Sequence, residues 1–162
     1  SENAPAVYAA LTGAGAVPAG LYAQTSMRIE KGFCAMGHEL DSDVSPLEAG
    51  LAFATRKTGG FVGFEAMEAR RAAGAVPQVV SLIFTDQTAV PLGHEPIYAA
   101  GEIVGQTSSA AYGFRVDAPV ALGHAKGLEA GQKVEVDIAR TRFEATVRFG
   151  ALFDPTGARM RP

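Results

Sequence analysis

Lys133-Val134-Glu135-Val136-Asp137-Ile138, followed after a short gap by Arg142-Phe143-Glu144-Ala145-Thr146-Val147-Arg148-Phe149, alternates apolar and polar residues with a period of two. That is the period of a half-buried strand, and it puts Phe143, Ala145, Val147 and Phe149 on one face. Glu129-Ala130-Gly131-Gln132, just before it, reads as a turn. Working backward, Val120 to Ala125 suits another strand. Pro96-Ile97-Tyr98, Ala99-Ala100-Gly101 and Glu102-Ile103-Val104 read as a hairpin. Val79 to Thr85 is rich in β-branched and aromatic residues. Short strands at this spacing predict a small antiparallel barrel or sandwich.

The texture changes at Gly74-Ala75-Val76-Pro77. Upstream, helical signals dominate. Residues 64–73 carry Glu65 and Glu68 near the start and Arg70 and Arg71 near the end, with Gly74 following; dipole and C-cap logic favour a helix there. Residues 22–31 predict a second helix, with Ala23 and Met27, and Met27 and Lys31, spaced four apart. Residues 4–12 predict a third, ending at Gly13, with Asn3 as its cap and Pro5 in its first turn. Ser45-Pro46-Leu47-Glu48 reads as a capped turn. The expected class is therefore α+β, with a boundary near residue 75 between 1–75 and 76–162. Gly13-Ala14-Gly15-Ala16-Val17-Pro18-Ala19-Gly20 imitates a dinucleotide loop, but it follows a predicted helix and Pro18 interrupts it. A linker is the expectation, since phosphate cradling needs a strand–loop–helix context.

The chain has 162 residues, 48% hydrophobic and 19% charged, which is globular composition. Net charge is −3, spread evenly: 6 basic and 8 acidic residues in 1–75, 8 and 9 in 76–162. No basic stripe exists, so no nucleic acid is expected as a partner. No apolar run approaches the roughly 20 residues of a membrane span, so no membrane is expected either. Cys34 is the only cysteine, which precludes an internal disulfide and fits a reducing cytoplasm; an ordinary buried thiol is the expectation. The first residues, Ser1-Glu2-Asn3-Ala4-Pro5, lack Met and any signal-peptide pattern. A fragment or processed subunit is expected. His38, His94 and His124 lack the close spacing of zinc ligands, so no metal site is expected.

The segment 26–50 points most clearly to a ligand. Its core is Arg28-Ile29-Glu30-Lys31, then Gly37, Glu39 and Leu40, then Pro46-Leu47-Glu48-Ala49-Gly50. On a helix, residues two apart diverge, so Arg28 and Glu30 need not neutralise each other. An arginine fork can hold a carboxylate through two parallel hydrogen bonds, although most arginines are solvated or in ion pairs. The segment resembles one shared by the glycine-cleavage T-protein (aminomethyltransferase) family and the C-terminal parts of sarcosine and dimethylglycine dehydrogenases. Lys31 is more like the dehydrogenases, which have Arg-Ile-Glu-Lys where T-proteins more typically have Arg-Leu-Glu-Ala. Two further runs are similar to the same enzymes. One is Gly93-His94-Glu95-Pro96-Ile97-Tyr98 with Gly101, Val104-Gly105 and Thr107-Ser108-Ser109-Ala110-Ala111-Tyr112-Gly113. The other is Phe153-Asp154-Pro155-Thr156-Gly157-Ala158-Arg159. Read without the resemblance, these are turn chemistry: glycine for unusual φ and ψ, hydroxyls for loop backbone.

The resemblance implies that 1–75 is the trailing part of a folate-binding α+β domain and 76–162 a T-protein-type barrel. It implies tetrahydrofolate as cofactor, with Arg28 engaging the folate tail and Tyr112 beside the folate channel. Glu30 and Lys31 would orient the segment. Flavin (FAD) would belong only to a missing part of the parent enzyme. The acidic residue expected to assist the reaction has no counterpart here, so no catalytic residue is assigned. Partners implied are folate and the remainder of the parent enzyme or another subunit. The implied activity is demethylation of an N-methylated glycine, either sarcosine or dimethylglycine. The alternatives are glycine-cleavage aminomethyl transfer, or a structural barrel without activity.

Overall fold

The structure is a computed structural model that describes residues 2–74 and 77–161. The boundary expected near residue 75 lies outside the described residues. Three helices come first: α1 (Ala4–Gly13), α2 (Leu21–Glu30) and α3 (Phe64–Ala72). Six strands follow: β1 (Gln78–Phe84), β2 (Pro96–Ala99), β3 (Glu102–Gly113), β4 (Ala118–Ala125), β5 (Lys133–Ile138) and β6 (Thr141–Arg148). They close into an antiparallel barrel in the order β1-β4-β3-β2-β5-β6, with β6 pairing back onto β1.

Period-two alternation explains the barrel's two faces. Val80, Leu82 and Phe84 of β1, Val134 and Val136 of β5, and Ala145 and Val147 of β6 fill the interior with Ile97. Each fully buried aliphatic side chain contributes about 1.5–3 kcal/mol. Phe149, expected on that face, lies past the end of β6 and is 43% exposed. The opposite side chains of β1 and β4 face outward, where Val120 and Leu122 meet Ile29 of α2. That helix covers the β3–β4 wall. Two glycines let β3 and β4 approach: a Cβ on Gly105 would fall 2.0 Å from the His124 carbonyl oxygen, and one on Gly123 would fall 2.5 Å from that of Gln106.

The β2–β3 hairpin turns through Ala100 and Gly101, both with positive φ (50° and 85°), as a tight primed turn requires. Two further expectations differ from the structure. Strand β3 runs on to Gly113, so Thr107 to Gly113 form barrel wall and not turns. Small side chains are there because α2 sits against them. Asn3 precedes α1 but makes no side-chain cap, since its backbone is already helical. Helix α1 buries no residue; Val7, Tyr8 and Leu11 are more than half exposed.

The Ser45–Glu48 turn is capped reciprocally, as expected. The Ser45 amide donates to the Glu48 carboxylate at 2.8 Å, and the Glu48 amide to the Ser45 hydroxyl at 3.4 Å. Arg70 of α3 donates to the same carboxylate at 2.6 Å, which ties α3 to this turn. Residues 14–20 link α1 to α2 without regular structure.

Candidate functional site at the junction of helix α2 and the barrel

Helix α2 presents Ser26, Ile29 and Glu30 to the barrel, the i, i+3, i+4 spacing of one buried face. Ser26 donates to the Tyr112 carbonyl at 2.6 Å. Ile29 is fully buried. The Glu30 carboxylate, 2% exposed, accepts the amides of Arg115 (2.6 Å) and Val116 (2.9 Å) in the β3–β4 turn. Its backbone carbonyl accepts the amides of Leu152 (2.8 Å) and Phe153 (2.9 Å). Gly113 leaves room for that carboxylate: a Cβ there would stand 3.0 Å from it, and the Glu30 side chain would have to shift by a few tenths of an ångström.

Arg28 points elsewhere, as the two-residue spacing requires. Its guanidinium donates to the Glu39 carboxylate at 2.8 Å, to the Phe33 carbonyl at 3.4 Å and to the Ser109 hydroxyl at 2.6 Å. Glu39 is fully buried and also accepts the Ser108 hydroxyl (2.6 Å) and the Ala35 amide (3.0 Å). Neighbouring strand residues ordinarily face opposite ways. A bulge in β3 between Thr107 and Ser109 breaks that alternation, so both serines serve one ion pair. Burial alone would push the Glu39 carboxyl up. The Ser108 and Ser109 hydroxyls, the Ala35 amide and Arg28 outweigh it and hold the group below the ordinary glutamate value.

Lys31 caps the other side, pairing with Asp154 at 2.9 Å. That bond holds the Asp154 carboxyl below its ordinary value. Cys34 is half-buried, its sulfur 3.7 Å from the Ala49 carbonyl. Burial, with Glu39 nearby, pushes its thiol up, so it is a poor nucleophile at neutral pH. Among the described residues no cluster of His, Cys, Asp and Glu could hold a metal ion.

Tyr112 lies on the other face of β3. Ala111 packs with Ile29 outside the barrel, whereas Ala110 belongs with the interior, and Tyr112 follows the interior alternation. Its hydroxyl meets Asp117 at 2.8 Å, which raises its pKa, and its ring edges onto Phe114 at 5.2 Å. The structure therefore does not bring Arg28 and Tyr112 together. Two hollows flank α2. One, of about 440 Å³, is lined by Arg28, Phe33, Arg115 and Phe153 among others. The other, of about 900 Å³, runs past Cys34, Leu51 and Val79. Sequence reading missed the roles of Glu39, Ser108 and Ser109.

The family models that match are the glycine cleavage T-protein C-terminal barrel domain, over residues 78–154, and the GCVT N-terminal domain, over residues 1–59. The chain belongs to the glycine cleavage T-protein family. Curated relatives include human mitochondrial dimethylglycine dehydrogenase, 32% identical over 154 residues, covering 90% of this chain and 18% of the relative. Human mitochondrial sarcosine dehydrogenase is 36% identical, covering 96% and 18%. The aminomethyltransferase of Moorella thermoacetica is 40% identical over 128 residues, covering 77% and 35%. A crystal structure of the glycine cleavage system aminomethyltransferase T from Bartonella henselae superposes with a TM-score of 0.84 over 95% of this chain and 45% of that one. At 24% identity it shows the fold. The chain thus spans less than half the length of each of these relatives. No helix among the described residues is long and apolar enough to cross a membrane.

Proposed function

We propose that this chain is the folate-tail-binding and barrel region of a tetrahydrofolate-dependent enzyme that demethylates an N-methylated glycine. Residues 1–75 would close one side of a folate domain, and 76–162 would brace it. The observation that carries the reading is the setting of Arg28. A guanidinium has five N–H donors. Glu39, Phe33 and Ser109 take three. Arg28 is among the residues that line the 440 Å³ hollow, and its guanidinium is held in orientation by a buried carboxylate. A carboxylate tail entering there meets a preorganised donor. Tyr112, on the opposite strand face, would meet the ligand only from the barrel's side.

Tetrahydrofolate, when bound, accepts the one-carbon unit; the residues here bind and orient it, and none is assigned a catalytic role. The described residues supply no flavin cradle, since Gly13–Gly20 follows a helix and not a strand. Flavin chemistry and the methylated substrate would belong to other parts of the enzyme. Lys31 and the dehydrogenase relatives favour demethylation. The 40% identity to an aminomethyltransferase favours a second reading, glycine-cleavage transfer with the same tail site. Calorimetric titration of 5-formyltetrahydrofolate into the chain tests both. Binding is expected, weakened about tenfold by Arg28→Lys, which keeps the charge beside Glu39 but loses the fork. A folded chain that gives no heat with millimolar ligand refutes a tail site in this segment.

A further inference from the structure

The chain from Asp154 onward walls the 900 Å³ hollow, which the proposed function does not use: Pro155, Thr156, Gly157, Met160 and Arg161 all line it. Little holds this stretch down. Its main-chain hydrogen bonds are internal: the Gly157 amide donates to the Asp154 carbonyl, and the Met160 amide to the Gly157 carbonyl, within the short helical turn Ala158–Met160. Among the described residues no main-chain bond joins it to helix or barrel, whereas Leu152 and Phe153, just before it, are tied to the Glu30 carbonyl. No side chain from Pro155 to Arg161 is buried. The Arg159 guanidinium rests over the Phe153 ring at 5.3 Å, a contact that is weak when exposed.

Among the described residues, Lys31 is the one side chain from outside that hydrogen-bonds to this stretch. Its ammonium donates to the Asp154 carboxylate at 2.9 Å and also to the Asp154 carbonyl. The two side chains are only 14% and 8% exposed, so salt screens the pair weakly. The grip falls on a strained residue. Asp154 has a φ of 48°, in the left-handed region that residues other than glycine enter at a cost. Pro155, which follows, also favours extended backbone at the residue before it. We propose that residues 154–161 are a lid over the 900 Å³ hollow, hinged at Asp154 and latched by Lys31. With the latch closed, Asp154 stays left-handed and the chain after it lies across the hollow. With the latch open, Asp154 relaxes toward extended backbone and carries Pro155 to Arg161 away, which uncovers Phe33, Leu51 and Val79. The attachment of residues 152–153 to Glu30 does not move. The lid needs no ligand in either hollow, so it stands or falls apart from the folate reading.

Hydrogen–deuterium exchange and thiol labelling of the chain test this together. Cys34, the only cysteine, is half-buried and lines the 900 Å³ hollow, so its labelling by a water-soluble maleimide reports whether the hollow is uncovered. In Lys31→Met, which keeps the aliphatic stem, the Gly157 and Met160 amides should exchange about tenfold faster and Cys34 should label about tenfold faster. Losing a cation can only slow thiolate chemistry, so a faster rate reads access. Lys31→Arg, which can still donate to both acceptors, should stay near wild type; Asp154→Asn, which keeps the carbonyl acceptor, should fall between. Amides of β4 and β5 verify in the same experiment that each variant stays folded. Should Lys31→Met loosen the barrel as well, Asp154→Asn decides on the same readouts. Equal exchange of the Gly157 and Met160 amides in wild type and variant overturns the latch. Faster exchange with unchanged Cys34 labelling overturns the lid. Leu152 and Phe153 amides that speed up by the same factor overturn the hinge at Asp154.

Discussion

Replacing Arg28 with methionine isolates what the Arg28–Glu39 pair does. Glu39 is fully buried and accepts from Arg28, Ser108 and the Ala35 amide. Methionine keeps most of the aliphatic stem but leaves a carboxylate inside the protein with only neutral donors. Stranding one partner of a buried pair costs about 3–5 kcal/mol. With a urea slope of about 2 kcal/mol/M, the unfolding midpoint should fall by roughly 2 M at pH 7. The pH dependence has a definite sign. In wild type the Glu39 carboxyl is held below its ordinary value. Its contribution is therefore fully present above the ordinary glutamate pKa and is lost as pH falls through the lowered folded value. In the variant the cation is gone while the Ser108, Ser109 and Ala35 donors remain, so the carboxyl rises relative to wild type and acid protonates it more readily. The two stability curves should converge as pH falls through the variant's carboxyl value toward the lower wild-type one. Urea titrations followed by circular dichroism at several pH values measure this. Arg28→Met/Glu39→Leu, which removes both charges, should recover most of the loss. A loss below about 1 kcal/mol, or one that does not change with pH, would refute the reasoning.

Other outcomes follow from the same geometry. Glu30→Ala frees the Arg115 and Val116 amides beneath α2 and should cost about 2–3 kcal/mol by urea unfolding, more than Glu30→Gln, whose side-chain oxygen still accepts. Gly105→Ala drives a methyl into the His124 carbonyl and should cost more than about 3 kcal/mol or abolish folding, read as lost soluble yield and cooperative unfolding. Helix α1 buries nothing, so its amides should exchange orders of magnitude faster than those of α2 in hydrogen–deuterium exchange of the chain; equal protection would show that α1 is packed.

Sequence reading went furthest where one period ruled one element. Strands β5 and β6 and helix α3 fall within a residue or so of their expected spans, because apolar alternation and terminal charges act locally. It failed where distant residues decided. Thr107 to Gly113 looked like turn residues. They are strand because they pair with β4 from Gly123 back to Ala118, and α2, some eighty residues earlier in the chain, packs on their outer face. The divergence of Arg28 and Glu30 was legible from helix geometry. The partner of Arg28 was not, since Glu39 reaches it from a loop and the serines reach it only through a bulge. Asn3 had the right chemistry for a cap but the wrong backbone angle, which composition does not encode.

Glu30 takes four amides from two separate stretches, the β3–β4 turn through its side chain and the segment at 152–153 through its main chain. Mechanically this makes it a rivet. A pull applied at the C-terminal end does not peel that segment away alone. The load passes through α2 into the β3–β4 turn, and the three should release together in a single force step, whereas Glu30→Ala should let the C-terminal segment yield before the barrel does.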